Sequence, residues 1–181
     1  MNLLRKIFLL TTIFLLTFGS VAAAQHRLVR VCDMGVQAFV DKMNGGNIHQ
    51  SLKRNGLTIE ITAPIARPEL DDAQSFRGLT VRSSDFRAQG AQAPNGQLRF
   101  YVNSEGYVCV TQFINEGDPK LSSAVFFMML EALGLTEQEA ATLFQEQGAV
   151  AETWCTGSGR KIIRILADKE GNSVFLLGAS D

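Results

Sequence analysis

A short glycine-rich stretch near the C-terminus raises the possibility of phosphate binding. This stretch consists of Gly157, Ser158 and Gly159 and is followed directly by Arg160 and Lys161. It therefore combines flexible backbone with a hydroxyl and two cations. A nucleotide-binding P-loop, however, needs the spacing G-x-x-x-x-G-K-[ST] between a strand and a helix. Here the lysine is followed by two isoleucines, which favour a strand. The sequence therefore predicts a hairpin turn at these glycines.

Thiol chemistry is the second possibility, because the chain contains Cys32, Cys109 and Cys155. An oxidising compartment would favour one disulfide and one remaining thiol. We predict the pair Cys109 and Cys155, which would join the middle hairpin to the C-terminal strands. Cys32 with Cys109 is the alternative, since both belong to apolar faces, and three buried reduced thiols would also pack well. A catalytic thiol is not predicted, because there is no C-x-x-C motif and no evident base.

Acidic side chains offer acid and base chemistry. Asp71 and Asp72, with Glu69 nearby, could serve a small hydrolase or hold a cation, although adjacent acids in a polar loop are usually only solvated. The two histidines, His26 and His49, have no zinc-binding spacing. We therefore expect no metal and no cofactor, and we keep the hydrolase as an alternative hypothesis.

Charged side chains also suggest binding to another macromolecule. Residues 65–97 contain few apolar positions, and we interpret most of this stretch as a long loop, with one short strand candidate at 79–83. Such a loop can present a docking surface, because arginine forms paired hydrogen bonds to carboxylates. The four arginines of this predicted surface are Arg67, Arg77, Arg82 and Arg87.

The acidic residues are concentrated in one later stretch. Residues 116–152 hold seven acidic side chains against Lys120 alone, a balance of about −6. This pattern is typical of a solvated helix face, and it also fits an acidic surface that binds a basic partner.

Hydrophobic spacing predicts the elements that must position these groups. From Leu28 to Met43, apolar residues recur at the i, i+3, i+4 and i+7 positions of one helix face. A second short helix is predicted from Ile48 to Gly56. Residues 57–64 alternate as a strand, and 97–114 form a hairpin whose turn is "NSEG". We align Val102 opposite Tyr107 in that hairpin, which places the cysteine at 109 on the core face.

A helical hairpin and three strands follow. Asp118, Pro119 and Gly134 mark the start and end of an apolar helix, and Thr136 with Glu139 forms a capping box for the next helix. Three runs separated by "GSG" and "DKEGN" then predict an antiparallel meander. A carrier could hold a small apolar ligand between the first helix and the sheet. Its predicted contacts are Phe126, Phe127 and Met128.

The N-terminus predicts export. Arg5 and Lys6 precede an uncharged run over 7–18, and Ala22 to Ala24 supply the small residues of a cleavage site. We predict a signal peptide over 1–24 and a periplasmic or secreted mature protein. Without those two basic residues, 15 basic side chains oppose 18 acidic ones, a net charge of about −3. Nucleic acid and membrane are therefore not expected partners.

Together these patterns predict one α+β domain over 25–181, an antiparallel sheet of five to seven strands packed against an N-terminal helix and a helical hairpin. The leading hypothesis is a non-catalytic bacterial envelope protein that binds another envelope protein or polymer as an accessory factor or inhibitor. The alternatives are the small hydrolase and the apolar-ligand carrier described above.

Overall fold

The computed structural model describes residues 29–71, 78–115, 119–145, 149–169 and 172–180. It contains four α-helices, one short 3-10 helix at Pro68–Leu70, and eight strands in the described part of the chain. The helices are α1 (Val36–Gly45), α2 (Asn47–Arg54), α3 (Pro119–Leu133) and α4 (Glu137–Gln145). The strands are β1 (Ile59–Ile61), β2 (Ile65–Ala66), β3 (Thr80–Ala88), β4 (Gly96–Val102), β5 (Val108–Asn115), β6 (Val150–Cys155), β7 (Arg160–Lys169) and β8 (Asn172–Ser180).

The strands form one antiparallel sheet. Their order is β1-β3-β4-β5-β8-β7-β6, and β2 also pairs with β3. Burial alternates along β4, where Leu98, Phe100 and Val102 are buried and the residues between them are half-buried. One face of the sheet, the helical face, therefore packs against helices, and we call the opposite side the outer face. The predicted α+β fold is confirmed.

The main core lies between the helical face and the two apolar helices α1 and α3. Phe39 of α1 meets Phe100 of β4 edge to face, with ring centroids 5.7 Å apart. Helix α3 is deeply buried, because Phe126, Met128 and Met129 are almost completely enclosed. None of the helices in the described ranges is long and apolar enough to cross a membrane.

The predicted start of the N-terminal helix is wrong. The helix begins at Val36 rather than near Leu28, and residues 29–35 run along the sheet instead. The Val29 N–H donates to a β8 carbonyl (3.2 Å), and the Val31 N–H donates to a β5 carbonyl (2.9 Å). We call residues 29–35 the N-terminal strap. The apolar residues of the strap have helical spacing, but the N–H groups of Val29 and Val31 donate to carbonyls of strands and not to carbonyls within a helix.

The predicted long loop is also wrong over much of its length. Residues 80–88 form the nine-residue strand β3, which pairs with β1, β2 and β4. Ser83 and Ser84 are both buried in this strand, at positions where apolar residues would normally reveal a strand pattern. The strand candidate at 79–83 is therefore confirmed, and the polar residues concealed its extension to residue 88.

A β-bulge changes the predicted register of the β4–β5 hairpin. Val102 pairs with Val108 rather than with Tyr107, and the register shifts between residues 101 and 102 of β4. The extra residue turns Cys109 away from the main core. Its side chain packs near Leu176 in a small cluster on the outer face.

The three cysteines are buried and unpaired in the structure, so the predicted disulfide is not present. Cys155 belongs to the main core, where its Sγ lies 3.6 Å from the Gly134 carbonyl oxygen, while Cys109 lies on the other side of the sheet. Cys32 also packs in the main core, and burial raises the pKa of its thiol to about 11. Burial of all three thiols opposes their oxidation.

We therefore expect the folded protein to resist alkylation. Iodoacetamide should leave all three thiols of the native protein unmodified, because reaction needs an accessible thiolate. After unfolding in guanidinium without reductant, the intact mass should rise by three carbamidomethyl groups. A rise of a single group would instead show that two cysteines had paired as a disulfide.

Two predicted turns form, one between the two helices of the helical hairpin and one between the first two strands of the last meander. Gly134 ends α3 with a φ of +86°, a conformation in which glycine avoids the strain of a side chain. The glycine-rich stretch at 156–159 is the turn between β6 and β7. Lys161 lies inside β7, so the prediction of a hairpin turn in place of a P-loop is confirmed.

Candidate binding groove

An open groove of about 710 Å³ lies between α2, α3 and α4, and we call it the helical groove. Its lining is mainly apolar, with polar side chains around the rim. The floor comes from α3, one wall from α2, and the other wall from α4 and the residues just before it. The main lining residues are Ile48, Leu52, Ala124, Phe127, Glu131, Leu135, Ala140, Ala141 and Phe144.

Glu131 sets the position of α2 beside α3. Its two carboxylate oxygens accept hydrogen bonds from the N–H groups of Asn47 (2.8 Å) and Ile48 (3.0 Å), at the first turn of α2. These backbone donors have no partner within their own helix, and a carboxylate also complements the helix dipole there. A glutamate of α3 therefore serves as the N-terminal cap of α2.

The capping box fixes α4 at the same end of α3. The Thr136 N–H donates to Glu139 Oε2 (2.8 Å), and the Glu139 N–H donates to Thr136 Oγ1 (3.3 Å), which confirms the predicted box. Glu139 Oε1 also accepts from the Thr156 N–H (2.9 Å), so the β6–β7 turn is tied to the same carboxylate. Both α2 and α4 therefore begin beside the C-terminal end of α3 and flank it.

Gly46 allows the Glu131 cap to form. A Cβ atom at this position would lie 2.4 Å from Glu131 Oε2. The φ of Gly46 is −67°, which alanine adopts readily, so the only conflicts are local contacts. A substitution here therefore tests the cap directly.

We expect Gly46→Ala to lower the free energy of unfolding by about 1–3 kcal/mol, because the carboxylate must leave two backbone donors. Urea denaturation should show this loss. In a Glu131→Ala background the same substitution should cost much less, since the obstructing oxygen is gone and the donors are already uncapped. Equal costs in both backgrounds would contradict the proposed role of Glu131.

Exposed aromatic surface is the most unusual property of the helical groove. Phe144 is 47% exposed although it is a large apolar residue on a packed helix. Its ring lies 5.0 Å from that of Phe127 and 6.3 Å from that of Phe126, measured between centroids. The three rings form a cluster that is closed on the core side and open toward the groove.

The predicted carrier site needs correction. Phe126 and Met128 are fully buried in the core, so they cannot line a ligand site between α3 and the sheet. Phe127 alone of the three predicted contacts reaches the helical groove, which lies on the other side of α3. Open apolar space does exist, but the side chains that line it differ from those predicted.

The charge of the groove is negative. Glu131 and Glu137 are its charged lining residues among the parts of the chain that the structure describes. Glu139 lies beside them in the capping box. Burial opposes its ionisation, but hydrogen bonds from Thr136 and Thr156 outweigh that effect and hold the pKa of Glu139 below its usual range. Three carboxylates therefore gather where α2 and α4 begin.

Two of the four predicted docking arginines already have partners within the protein. Arg67 Nε donates to Ser83 Oγ (2.8 Å), and its guanidinium also lies 3.4 Å from a Glu69 oxygen. Arg87 Nε donates to Glu60 Oε2 (2.9 Å) across the β1–β3 pair. Both arginines hold neighbouring segments of the sheet in place.

Arg82 lies apart from these two arginines. Arg82 pairs with Phe100 across β3 and β4, which places it on the helical face, away from Arg67 and Arg87. It lines a second pocket of about 660 Å³ at the N-terminus of α1. Arg77 lies outside the described residues. Of the three predicted arginines that the structure describes, Arg82 therefore lies on a different face of the sheet from Arg67 and Arg87.

Asp71, one of the candidate catalytic acids, has a partner within the protein. Asp71 Oδ1 accepts a hydrogen bond from the Val81 N–H (2.6 Å), which is a structural contact at the start of β3. Asp72 lies outside the described residues, and His49 contacts the backbone carbonyls of Asn44 and Ile59 through its two ring nitrogens. Within the ranges given above, no three His, Cys, Asp or Glu side chains are placed to hold a metal ion.

Sequence reasoning missed the groove because its lining comes from distant segments. In α4, Ala140, Leu143 and Phe144 form an apolar stripe that is wider than a single contact with the core requires. Leu143 packs in the core, whereas Phe144 remains about half exposed. A stripe of that width was the available signal, but the wall from α2 and the floor from α3 could not be assigned without the fold.

Comparisons with known proteins give no relative for this chain. The sequence matches none of the known protein families, and neither the curated proteins nor the solved structures contain a match.

Proposed function

We propose that this protein is a non-catalytic binding protein of the cell envelope, and that it binds an apolar segment of a partner protein in the helical groove. Phe144 is the single observation that carries this proposal. A residue of this kind normally lies inside, and here nearly half of its surface faces an open, apolar groove.

Burial of the groove would provide a useful binding free energy. Complete burial of a phenylalanine side chain contributes roughly 1.5–3 kcal/mol, so covering the exposed half of Phe144 contributes about 1 kcal/mol. Ile48, Leu52 and Phe127 are half-buried in the same groove and would add to this amount. An aromatic anchor surrounded by smaller apolar contacts is typical of protein interfaces.

The envelope location rests on the N-terminal sequence. The basic start, the apolar run and the alanines before Gln25 support export of the mature chain. A partner in the same compartment is therefore proposed, and the protein would act on it as an accessory factor or inhibitor by occupying its apolar segment.

A carrier of small apolar molecules is the second candidate. The groove volume of about 710 Å³ lies within the range of roughly 300–1,000 Å³ that small-molecule sites usually have. Such a ligand would contact Phe127 and Phe144 rather than the residues that the sequence predicted.

Photo-crosslinking distinguishes these functions. The photoreactive residue p-benzoylphenylalanine at position 144 should crosslink a partner protein in envelope extract, whereas the same residue at the similarly exposed Trp154 of β6 should not. Phe144→Asp should abolish binding of that partner and leave the melting temperature nearly unchanged, since the side chain is half-exposed. Trp154→Asp should leave binding intact.

Three results decide between the proposals. Crosslinks at position 144 that are absent at position 154 support the partner-binding function. A small molecule that copurifies with the wild type, is seen by native mass spectrometry and is lost in Phe144→Asp supports the carrier. Equal crosslinking at both positions, with no copurified molecule, contradicts both.

A further inference from the structure

The shape and charge of the helical groove specify its occupant more closely. We infer that the groove binds an amphipathic α-helix of a partner protein, and that this helix presents lysine or arginine to the C-terminal end of α3. The inference rests on the proposed function and names the chemistry of the partner.

The dimensions of the groove fit two turns of helix. Its floor follows α3 from Ala124 through Phe127 to Glu131, seven positions that extend about 10 Å along a helix axis. A helix about 10 Å in diameter and 10 Å long fills roughly 800 Å³. The groove volume of about 710 Å³ is close to that value.

Small residues on the floor and wall permit close approach. Ala124, Ala140 and Ala141 line the groove, where larger side chains would hold a second helix away. Packed helices have axes about 8–10 Å apart, with the shorter distances at small residues. An incoming helix would therefore place apolar residues against Phe127 and Phe144, at the i, i+3 or i+4, and i+7 spacing of one helix face.

The charge of the groove selects a basic helix. Glu131, Glu137 and Glu139 carry about three negative charges at one end. The N-termini of α2 and α4 contribute about half a positive charge each, and the C-terminus of α3 contributes about half a negative charge. The three helix ends together therefore contribute about half a positive charge, which offsets only a small part of the three negative charges. This end of the groove therefore attracts cations. A fatty acid or anionic lipid head group would be repelled there.

Designed peptides test this inference without knowledge of the natural partner. Three labelled 14-residue peptides are needed: an amphipathic leucine–lysine helix, a leucine–glutamate helix with the same leucine positions, and a leucine–lysine peptide with its leucines scrambled. Fluorescence anisotropy measures their affinities. We expect the amphipathic leucine–lysine helix to bind at least tenfold more tightly than either of the others, and its advantage over the glutamate peptide to decrease with salt.

A charge reversal in the groove gives the matched comparison. Glu137→Lys should reduce the preference for the lysine peptide at least fivefold, because it changes a lining carboxylate in an exposed first helical turn. Glu105→Lys, the same change in the exposed β4–β5 turn, should leave the preference intact. Circular dichroism melting of both variants checks that the fold persists.

The possible failures are separable. Equal affinity for the lysine and glutamate helices overturns the charge selection, and equal affinity for the scrambled peptide overturns the helical register. Tight binding of dodecanoate with no peptide binding would favour a small-molecule site and overturn the inference. If the peptides fail while position 144 still crosslinks a partner, the proposed function survives and the helical occupant does not.

Discussion

Gly96→Ala is expected to destabilise the protein by about 3 kcal/mol, at the upper end of the range for an overfilled core. A Cβ at this position would lie 2.4 Å from the Ile114 carbonyl oxygen and 2.4 Å from the Phe86 ring. The ring is completely buried and stacks on Phe113 with centroids 5.2 Å apart, so it has no free space to enter. The carbonyl belongs to the paired strand β5 and cannot move without disturbing the sheet. Urea denaturation measures the loss.

Gly45→Ala provides the matched control. An added Cβ at Gly45 would meet no atom within 4 Å, and the residue is the last of α1. Alanine is the better helix former, so this variant should be unchanged or up to about 1 kcal/mol more stable. If both variants had the same stability, the close packing of Phe86 over Gly96 would be disproved.

Val31→Asp is expected to cost about 4 kcal/mol or to prevent folding, because it places an unpaired carboxylate in the core. Val31 is fully buried although it lies in the strap, only two residues from the start of the described chain. Ala38→Asp is the control, since this exposed position lies in the first turn of α1, where an acid is favoured.

The control variant should stay within about 0.5 kcal/mol of the wild type. Denaturation curves and soluble yield compare the two variants. A tolerated Val31→Asp would mean that the strap is not part of the cooperative fold.

Strong local signals explain what the sequence predicted correctly. The Thr136–Glu139 box, the Gly134 stop and the alternation along β4 each depend on residues close in the chain, so their structure followed from spacing alone. The α+β class followed from these elements in turn.

The failures have different physical causes. The strap resembled a helix because Val31 and Cys32 face the core, but its partners lie more than 70 positions away in β5 and β8. Buried serines hid the extension of β3 beyond the predicted segment 79–83, and a bulge of one residue moved Cys109 to the other face. Pairing with distant strands thus decided only the conformation of the strap.

The candidate site was less predictable than the fold. Glu139 and the apolar character of α3 were recognised, but the pairing of Glu131 with the α2 N-terminus joins residues 83 and 84 positions apart. Arginines in a presumed loop suggested a docking surface, and in the fold Arg67 and Arg87 have neighbours of their own.

The strap has a consequence for the order of folding. Val29 bridges to Ala179 of the interior strand β8, so residues 150 positions apart must meet before the sheet is complete there. Asp33 also meets Arg160 at 2.9 Å. Contacts of such high contact order form slowly, because a long loop must close first. A chain with this topology cannot finish folding until its last strand has been delivered.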